Sequence, residues 1–311
     1  MNWPKEPYKW IENNVCFVSV PFTWCLPEVK AFVNRGDMFI KKYVIGGPAI
    51  DLIPDFIRES ERVKIGGKLD GVLQKINPEA TRTTVGCIRH CKFCGIGINK
   101  IEAGGFKELN DWPDLPILTD NNLLASSKQH FDKVIDRLLR WEWCDFNQGL
   151  DTRLLNKYHA ERIAEIKKPH CRLAYDNKKE KGIFEKAFSL LRNAKIAKKN
   201  ISSYVLIGFD SDPQDAWERC EFVESLGILA YPMWYHSLVA LELNKVTKEQ
   251  RKLGWTNRDR LDIMGYYYQH RKEKGIGRGY ISPAKKEEIV NIQNSAQQPH
   301  VKMPKDARVS G

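Results

Sequence analysis

The sequence predicts an α/β protein: a run of six strand–helix units, with a smaller α/β region in front of it. Three observations carry this expectation. Six short strand-like runs, "TRTTVG" (81–86), "LPILTD" (115–120), "CDFNQ" (144–148), "CRLAYD" (171–176), "SYVLIGF" (203–209) and "ILAYPM" (228–233), punctuate the chain. Their starts are typically about thirty residues apart, the length of a βα unit. Between them, apolar residues recur at helical spacing, as in Phe131, Val134, Ile135, Leu138 and Leu139, and again in Ile183, Phe184, Ala187, Leu190 and Leu191. One helix also has its ends written out, with Asp212 as N-cap, Pro213 in the first turn, Phe222, Val223 and Leu226 inward, and Gly227 as the stop. Such alternation argues for a parallel sheet, either curved into a partial barrel or doubly wound.

Taken in order, residues 1–78 form the small leading region. "VCFVSVPF" (15–22) and "KKYVIGGPA" (41–49) read as strands, and "PEVKAFVNR" (27–35) as the helix between them. Gly46 and Gly47 allow a sharp turn at a strand end, or the close approach of a ligand. Residues 79–240 hold the six units. Residues 241–285 form a helical extension that includes "LDIMGYYYQHRKEKG" (261–275). The remaining stretch, 286–311, is polar, contains Pro and Gly, and is expected to be a disordered basic tail.

Composition narrows the classes. Of the 311 residues, 42% are hydrophobic and 29% charged, which fits an ordinary globular chain and not a disordered one. No apolar run approaches the roughly 20 residues of a membrane span, so no membrane partner is expected. "MNWPKEPYKWIENN" has no apolar segment of the signal-peptide kind. The eight cysteines are not spaced as a disulfide framework, and a reducing cytoplasm is the expected home. A formal net charge of +11 favours polyanionic partners, or else describes a solvated basic surface with a basic tail.

The densest chemistry lies in "GCIRHCKFCG" (86–95), which holds Cys87, Cys91 and Cys94. A closed zinc site or an ordinary iron–sulfur site takes four protein ligands. Zinc would need a histidine beside the three thiolates. His90 adjoins Cys91 in sequence, adjacent residues rarely face one ion, and no second CxxC or HxxxH pair follows. A cubane held by three thiolates leaves one iron without a protein ligand, open to a substrate or cofactor. The five remaining cysteines, Cys16, Cys25, Cys144, Cys171 and Cys220, occur singly and read as buried small hydrophobes.

Cys87-x3-Cys91-x2-Cys94, with Phe93 directly before the last cysteine, resembles the CxxxCxΦC signature of radical S-adenosylmethionine (radical SAM) enzymes. It also stands where that family has it, in the loop after the first of six strands, and the resemblance covers roughly residues 80–240. The resemblance implies a partial (β/α)6 TIM-like barrel preceded by a Rossmann-like region. It implies a 4Fe–4S cluster on the three cysteines, with S-adenosyl-L-methionine (SAM) on the open iron through its amine and carboxylate. An electron from a flavodoxin- or ferredoxin-like donor would cleave SAM to methionine and a 5′-deoxyadenosyl radical, which takes a hydrogen atom from the substrate.

The same resemblance implies cofactor-binding positions. "TDNNLL" stands at the family's GGE-like turn and offers Asp120, Asn121 and Asn122 as acceptors, without the glycines. "NQGLDTR" places Gln148, Asp151 and Arg153 at the mouth after the third strand, with Arg153 suited to the SAM carboxylate. Asp176 and Asn177 end the fourth strand. Gly208 in "VLIGF" matches the adenine-side region of the fifth. "VIGGPA" resembles part of a shortened cobalamin-binding domain. The DxHxxG loop is missing and no histidine precedes His90, so cobalamin is not expected.

For the substrate, the order of regions resembles that of RNA methylthiotransferases, but the second three-cysteine set and the trailing β-rich RNA-binding domain are missing. "GYYYQHRK" (265–272) reads either as an aromatic and basic nucleic-acid surface or as a helix burying Tyr267 and Ile263. On the first reading Arg258, Arg260, Arg271 and Lys272 gather at the open side of the barrel. The expected function is a radical SAM enzyme acting on a nucleotide or nucleic acid. Peptide or small-metabolite modification is the alternative within enzymes, and an iron–sulfur or zinc nucleic-acid-binding protein is the alternative outside them.

Overall fold

A computed structural model describes residues 3, 5–67 and 69–270 of the chain. The leading region is a four-stranded sheet, β1 (Tyr8–Glu12), β2 (Val15–Ser19), β3 (Lys42–Gly46) and β4 (Val63–Ile65), in that spatial order. β1 runs antiparallel to β2, and β2, β3 and β4 are parallel. Helix α1 (Leu26–Arg35) makes the crossover between β2 and β3, and the short α2 (Pro48–Leu52) follows β3. Both strand readings and the helix reading are met here, while β1 and β4 carried no clear apolar pattern. Val18, Val20, Leu26, Val29, Ile45 and Ile50 belong to a core of this region's own. Gly47 has φ of 102°, and a Cβ there would fall 2.7 Å from the Val20 backbone, so what approaches the glycine pair is the neighbouring strand.

After α3 (Val72–Ile76) come β5 (Ala80–Thr81), β6 (Thr84–Val85), β7 (Lys107–Glu108) and β8 (Ile117–Leu118). Then α4 (Lys128–Leu138), β9 (Cys144–Phe146), α5 (Lys157–Ala164), β10 (Pro169–Tyr175), α6 (Lys181–Asn193), β11 (Ile201–Ile207), α7 (Pro213–Ser225) and β12 (Leu229–Trp234) alternate. The six strands β5, β8, β9, β10, β11 and β12 form one parallel sheet in chain order. Every crossover therefore steps the same way, and right-handed crossovers put their helices on one face. The sheet is singly wound, and the doubly wound alternative falls. The connection from β5 to β8 carries the β6–β7 hairpin and no helix, so the first of the six expected strand–helix units is corrected to a strand followed by a long hairpin.

The helices start where their caps predict. Ser127, Asn156 and Asp212 each accept a backbone N–H three residues on. Phe131, Val134, Ile135, Leu138, Phe184, Ala187 and Leu191 are buried against the sheet. Leu139 and Ile183 are instead exposed, since the helix turns them past the edge of the apolar stripe. Burial alternates along β10, with Cys171, Leu173 and Tyr175 facing the helices. On the other face Arg172 holds Asp145 through two hydrogen bonds of 2.8 and 2.6 Å, its guanidinium lying over Tyr204 and Tyr231.

Helices α8 (Lys248–Lys252) and α9 (Asn257–His270) close the described chain. α9 buries Ile263 and Tyr267, with Tyr266 and Tyr267 against Trp217, and the Tyr268 hydroxyl donates to the Pro232 carbonyl. The aromatic run is thus packing for the sheet edge, the second of its two readings, in which a helix buries Tyr267 and Ile263. Arg258 pairs with Asp262 at 2.9 Å, and Arg260 lies over the Trp234 ring. Arg271, Lys272, the rest of the extension and the expected tail lie outside the described residues. Among the described residues, no helix is long and apolar enough to cross a membrane.

Candidate active site

The stretch 81–86, expected as one strand, is broken in two by a buried carboxylate. Asp120, just past β8, accepts at Oδ1 from the backbone N–H groups and hydroxyls of both Thr83 and Thr84. That turn takes the chain from the parallel sheet into the β6–β7 hairpin, whose tip carries the cysteines. Glu102 ties the two legs of the tip. It pairs with Arg82 and accepts from the Gly86 N–H at 2.7 Å and from Asn121 Nδ2 at 2.8 Å. Within the loop, Gly97 lies so close to Cys91 that a Cβ would come within 2.4 Å of the Cys91 carbonyl oxygen.

Cys87, Cys91 and Cys94 are each half-buried, whereas the other five cysteines are buried. The Cys94 N–H donates to the Cys91 carbonyl, which curls the second half of the motif. Cys87 Sγ accepts from the Arg89 N–H at 3.3 Å and from Asn122 Nδ2 at 3.6 Å. Burial pushes the Cys91 thiol up, helped by Asp176 and Cys94, while Arg153 opposes the shift. Among the described residues, no group of three or more histidine, cysteine or acidic side chains stands so as to hold a metal ion, and His90 is exposed. In a cubane each thiolate sits on a different iron, so its three sulfurs stand farther apart than the ligands of one ion.

Around the sulfurs lies a ring of charge. Asp151 accepts from Arg89 Nε at 2.8 Å, from Arg153 Nε at 2.6 Å and from Asn122 Nδ2 at 3.1 Å. Burial pushes its carboxyl up, but hydrogen bonds from Arg153 and Arg89 outweigh that and hold it below its usual range. Arg153 also reaches Glu180 at 3.4 Å. Asp176 is pushed up to about 6, first by burial and then by Glu180, against Arg153 and Arg219. Phe93 meets Phe209 edge-on at 5.4 Å, and Phe209 meets Tyr235 at 4.9 Å.

Neither a family model nor a curated protein matches this chain.

Of the expected positions, Phe93, Asn122, Arg153 and Asp176 converge on the cysteine loop. Asp120 and Asn121 stand beneath it and shape its base. Gln148 is exposed on the turn after β9. Asn177 caps a short turn, accepting from the Lys179 N–H and donating to Asp210. Gly208 has φ of 79°, and a Cβ there would lie 2.5 Å from the Trp234 ring, so its partner in close approach is a core tryptophan. Sequence reasoning missed Arg89, Glu102 and Glu180. The D-x-R spacing of Asp151 and Arg153 carries a readable signal, because Asp commonly bonds the N–H two residues on, as it does here at 3.1 Å. Glu102 has none, since its partners, Arg82, Gly86 and Asn121, come from two stretches that only the fold brings together.

The residues fit the implied cofactor set. Two buried acceptors, Asn122 Oδ1 and Asp120 Oδ2, have no hydrogen-bond partner, and buried polar atoms are seldom left so. Asn122 adjoins Cys87, where an acceptor suits an ammonium group. The Arg153 guanidinium beside Cys91 suits a carboxylate.

Proposed function

We propose that this protein is a radical SAM enzyme with a 4Fe–4S cluster on Cys87, Cys91 and Cys94, built on a partial (β/α)6 barrel. One observation carries the reading: three half-buried cysteines share one loop at the C-terminal end of a singly wound parallel sheet, ringed by Asn122, Arg153 and Asp176. When bound, the cluster and SAM supply reductive cleavage to methionine and a 5′-deoxyadenosyl radical. The protein's own groups do the holding. Asn122 Oδ1 would accept from the SAM ammonium, and Arg153 would pair with its carboxylate. The two N–H donors on Cys87 would orient its sulfur toward the cluster. Phe93, Phe209 and Tyr235 form an apolar wall that keeps water from the reacting centre.

The leading region covers one side of the mouth. Thr23 Oγ1 donates to the Ala240 carbonyl at 2.6 Å, and the Trp24 ring lies 4.6 Å from that of His236. A nucleotide or nucleic acid is the proposed substrate, supported by the +11 charge, and a flavodoxin- or ferredoxin-like protein in the cytoplasm the proposed donor.

Anaerobic reconstitution tests the reading. The chain should take up about four irons per molecule and turn brown, and with dithionite and SAM it should release 5′-deoxyadenosine. Tightly bound zinc in place of iron overturns it. Iron uptake without SAM cleavage transfers the case to a non-enzymatic iron–sulfur protein.

A further inference from the structure

Asp151 is 8% exposed and lies in the turn after β9. Its two oxygens serve four donors from three parts of the chain. Oδ2 accepts from Arg89 Nε and Asn122 Nδ2, and Oδ1 accepts from the backbone N–H and Nε of Arg153. All three partner residues also meet the cysteines. Arg89 belongs to the motif itself, and its N–H donates to Cys87 Sγ. The Asn122 amide donates to the same sulfur. The Arg153 guanidinium stands beside Cys91.

Hydrogen bonds between charged groups are the strong ones, and a half-buried guanidinium left without its counter-charge turns toward water. Without this carboxylate, Arg89 would let go of the strand mouth, and the cysteine loop would lose its tie to the sheet on that side. Arg153 would keep only the longer contact to Glu180.

We infer that Asp151 is a positioning residue that ties the cysteine loop, through Arg89, to the mouth of the sheet and holds Asn122 and Arg153 at the sulfurs. The tie belongs to the chain itself and exists without any cofactor; only its value to a cluster rests on the radical SAM reading.

Thiol trapping on the reduced, metal-free full chain tests it, with N-ethylmaleimide as the probe and peptide mass spectrometry to locate the label. Asp151→Asn should speed labelling of Cys87 and Cys91 about tenfold, equivalent to about 1.4 kcal/mol of loop closure. Asp145→Asn is the control. It breaks the paired hydrogen bonds to Arg172 on the sheet's other face and should change both rates by no more than about twofold. Arg89→Gln removes the loop's half of the tie and should reproduce the faster labelling of Cys87, which keeps the test decisive should Asp151→Asn fold poorly. Unchanged rates in both variants, or an equal rise in Asp145→Asn, overturn the assignment. Because no metal is present, a negative result counts against Asp151 alone. Failure of the unaltered chain to take up iron counts against the proposed function alone.

Discussion

Cys144 and Cys87 differ in what surrounds their sulfurs, and the difference sets how each responds to substitution. Cys144 is fully buried on β9, and burial pushes its thiol far up, so it behaves as a small apolar side chain. Cys144→Ala should cost about 1–2 kcal/mol through the small void it leaves, while iron content stays unchanged. Cys87→Ala should instead lose the iron at little cost to the metal-free fold. Iron assay beside denaturant unfolding separates the two outcomes. Asp176 gives a pH signature. Its carboxyl titrates at about 6 in the fold against an ordinary 3.8, so the fold favours its neutral form. That contribution is full below about pH 4 and is lost as pH rises through about 6. Asp176→Asn should therefore raise the stability of the metal-free protein at pH 8, by on the order of 1–3 kcal/mol, and leave it nearly unchanged at pH 4. An equal gain at both pH values would show that the carboxyl is not held up.

At the scale of elements, the cysteine loop depends on backbone packing as much as on side chains. Gly97→Ala sets a Cβ against the Cys91 backbone, which has no room to retreat while the turn to Cys94 is kept. A cost of about 2–3 kcal/mol is expected, together with lower iron uptake after reconstitution. Normal uptake and stability would mean that the loop tolerates a shifted Cys91. Asp212→Ala bears on a separate element: loss of the N-cap of α7 should cost about 1 kcal/mol and leave iron uptake intact. The helices were legible because caps and apolar stripes are local signals. The break between β5 and β6 was not, because the carboxylate that bends the chain at Thr83 and Thr84 comes from Asp120, far along the sequence.

For the whole molecule the question is where the charge acts. Arg258 and Arg260, expected at an open basic face, are engaged by Asp262 and Trp234. Lys92, Lys100 and Lys107, all carried by the cysteine hairpin, are exposed and form no ion pair among the described residues. A polyanionic substrate would meet those lysines first. Affinity for a single-stranded RNA should then fall steeply with salt, by about 0.7 log units per log unit of salt for each phosphate contacted. The double change Lys92→Glu and Lys100→Glu should shallow that slope. A slope near zero in the unaltered protein would direct the search to a small-molecule or peptide substrate.

Six parallel strands, the helices after the last five of them and the three-cysteine motif were determined by the sequence itself, because propensity, periodicity and ligand spacing act over a few residues. Strands β2 and β3 of the leading region and the burial of Ile263 and Tyr267 also follow from local pattern. Only the tertiary structure decided that the sheet is singly wound, since strand order depends on crossovers that no local pattern encodes. It also decided which polar residues serve the cysteines. Asp120, Asn121 and Asn122 are consecutive, yet the first turns inward to two threonines, the second to Glu102 and the third to Cys87 and Asp151. Neighbours in sequence point in different directions, so a run of similar side chains gives no hint of which one reaches the site. Gly208 shows the same limit, because its need for no side chain comes from Trp234 on the next strand. Long-range packing alone brings such partners together.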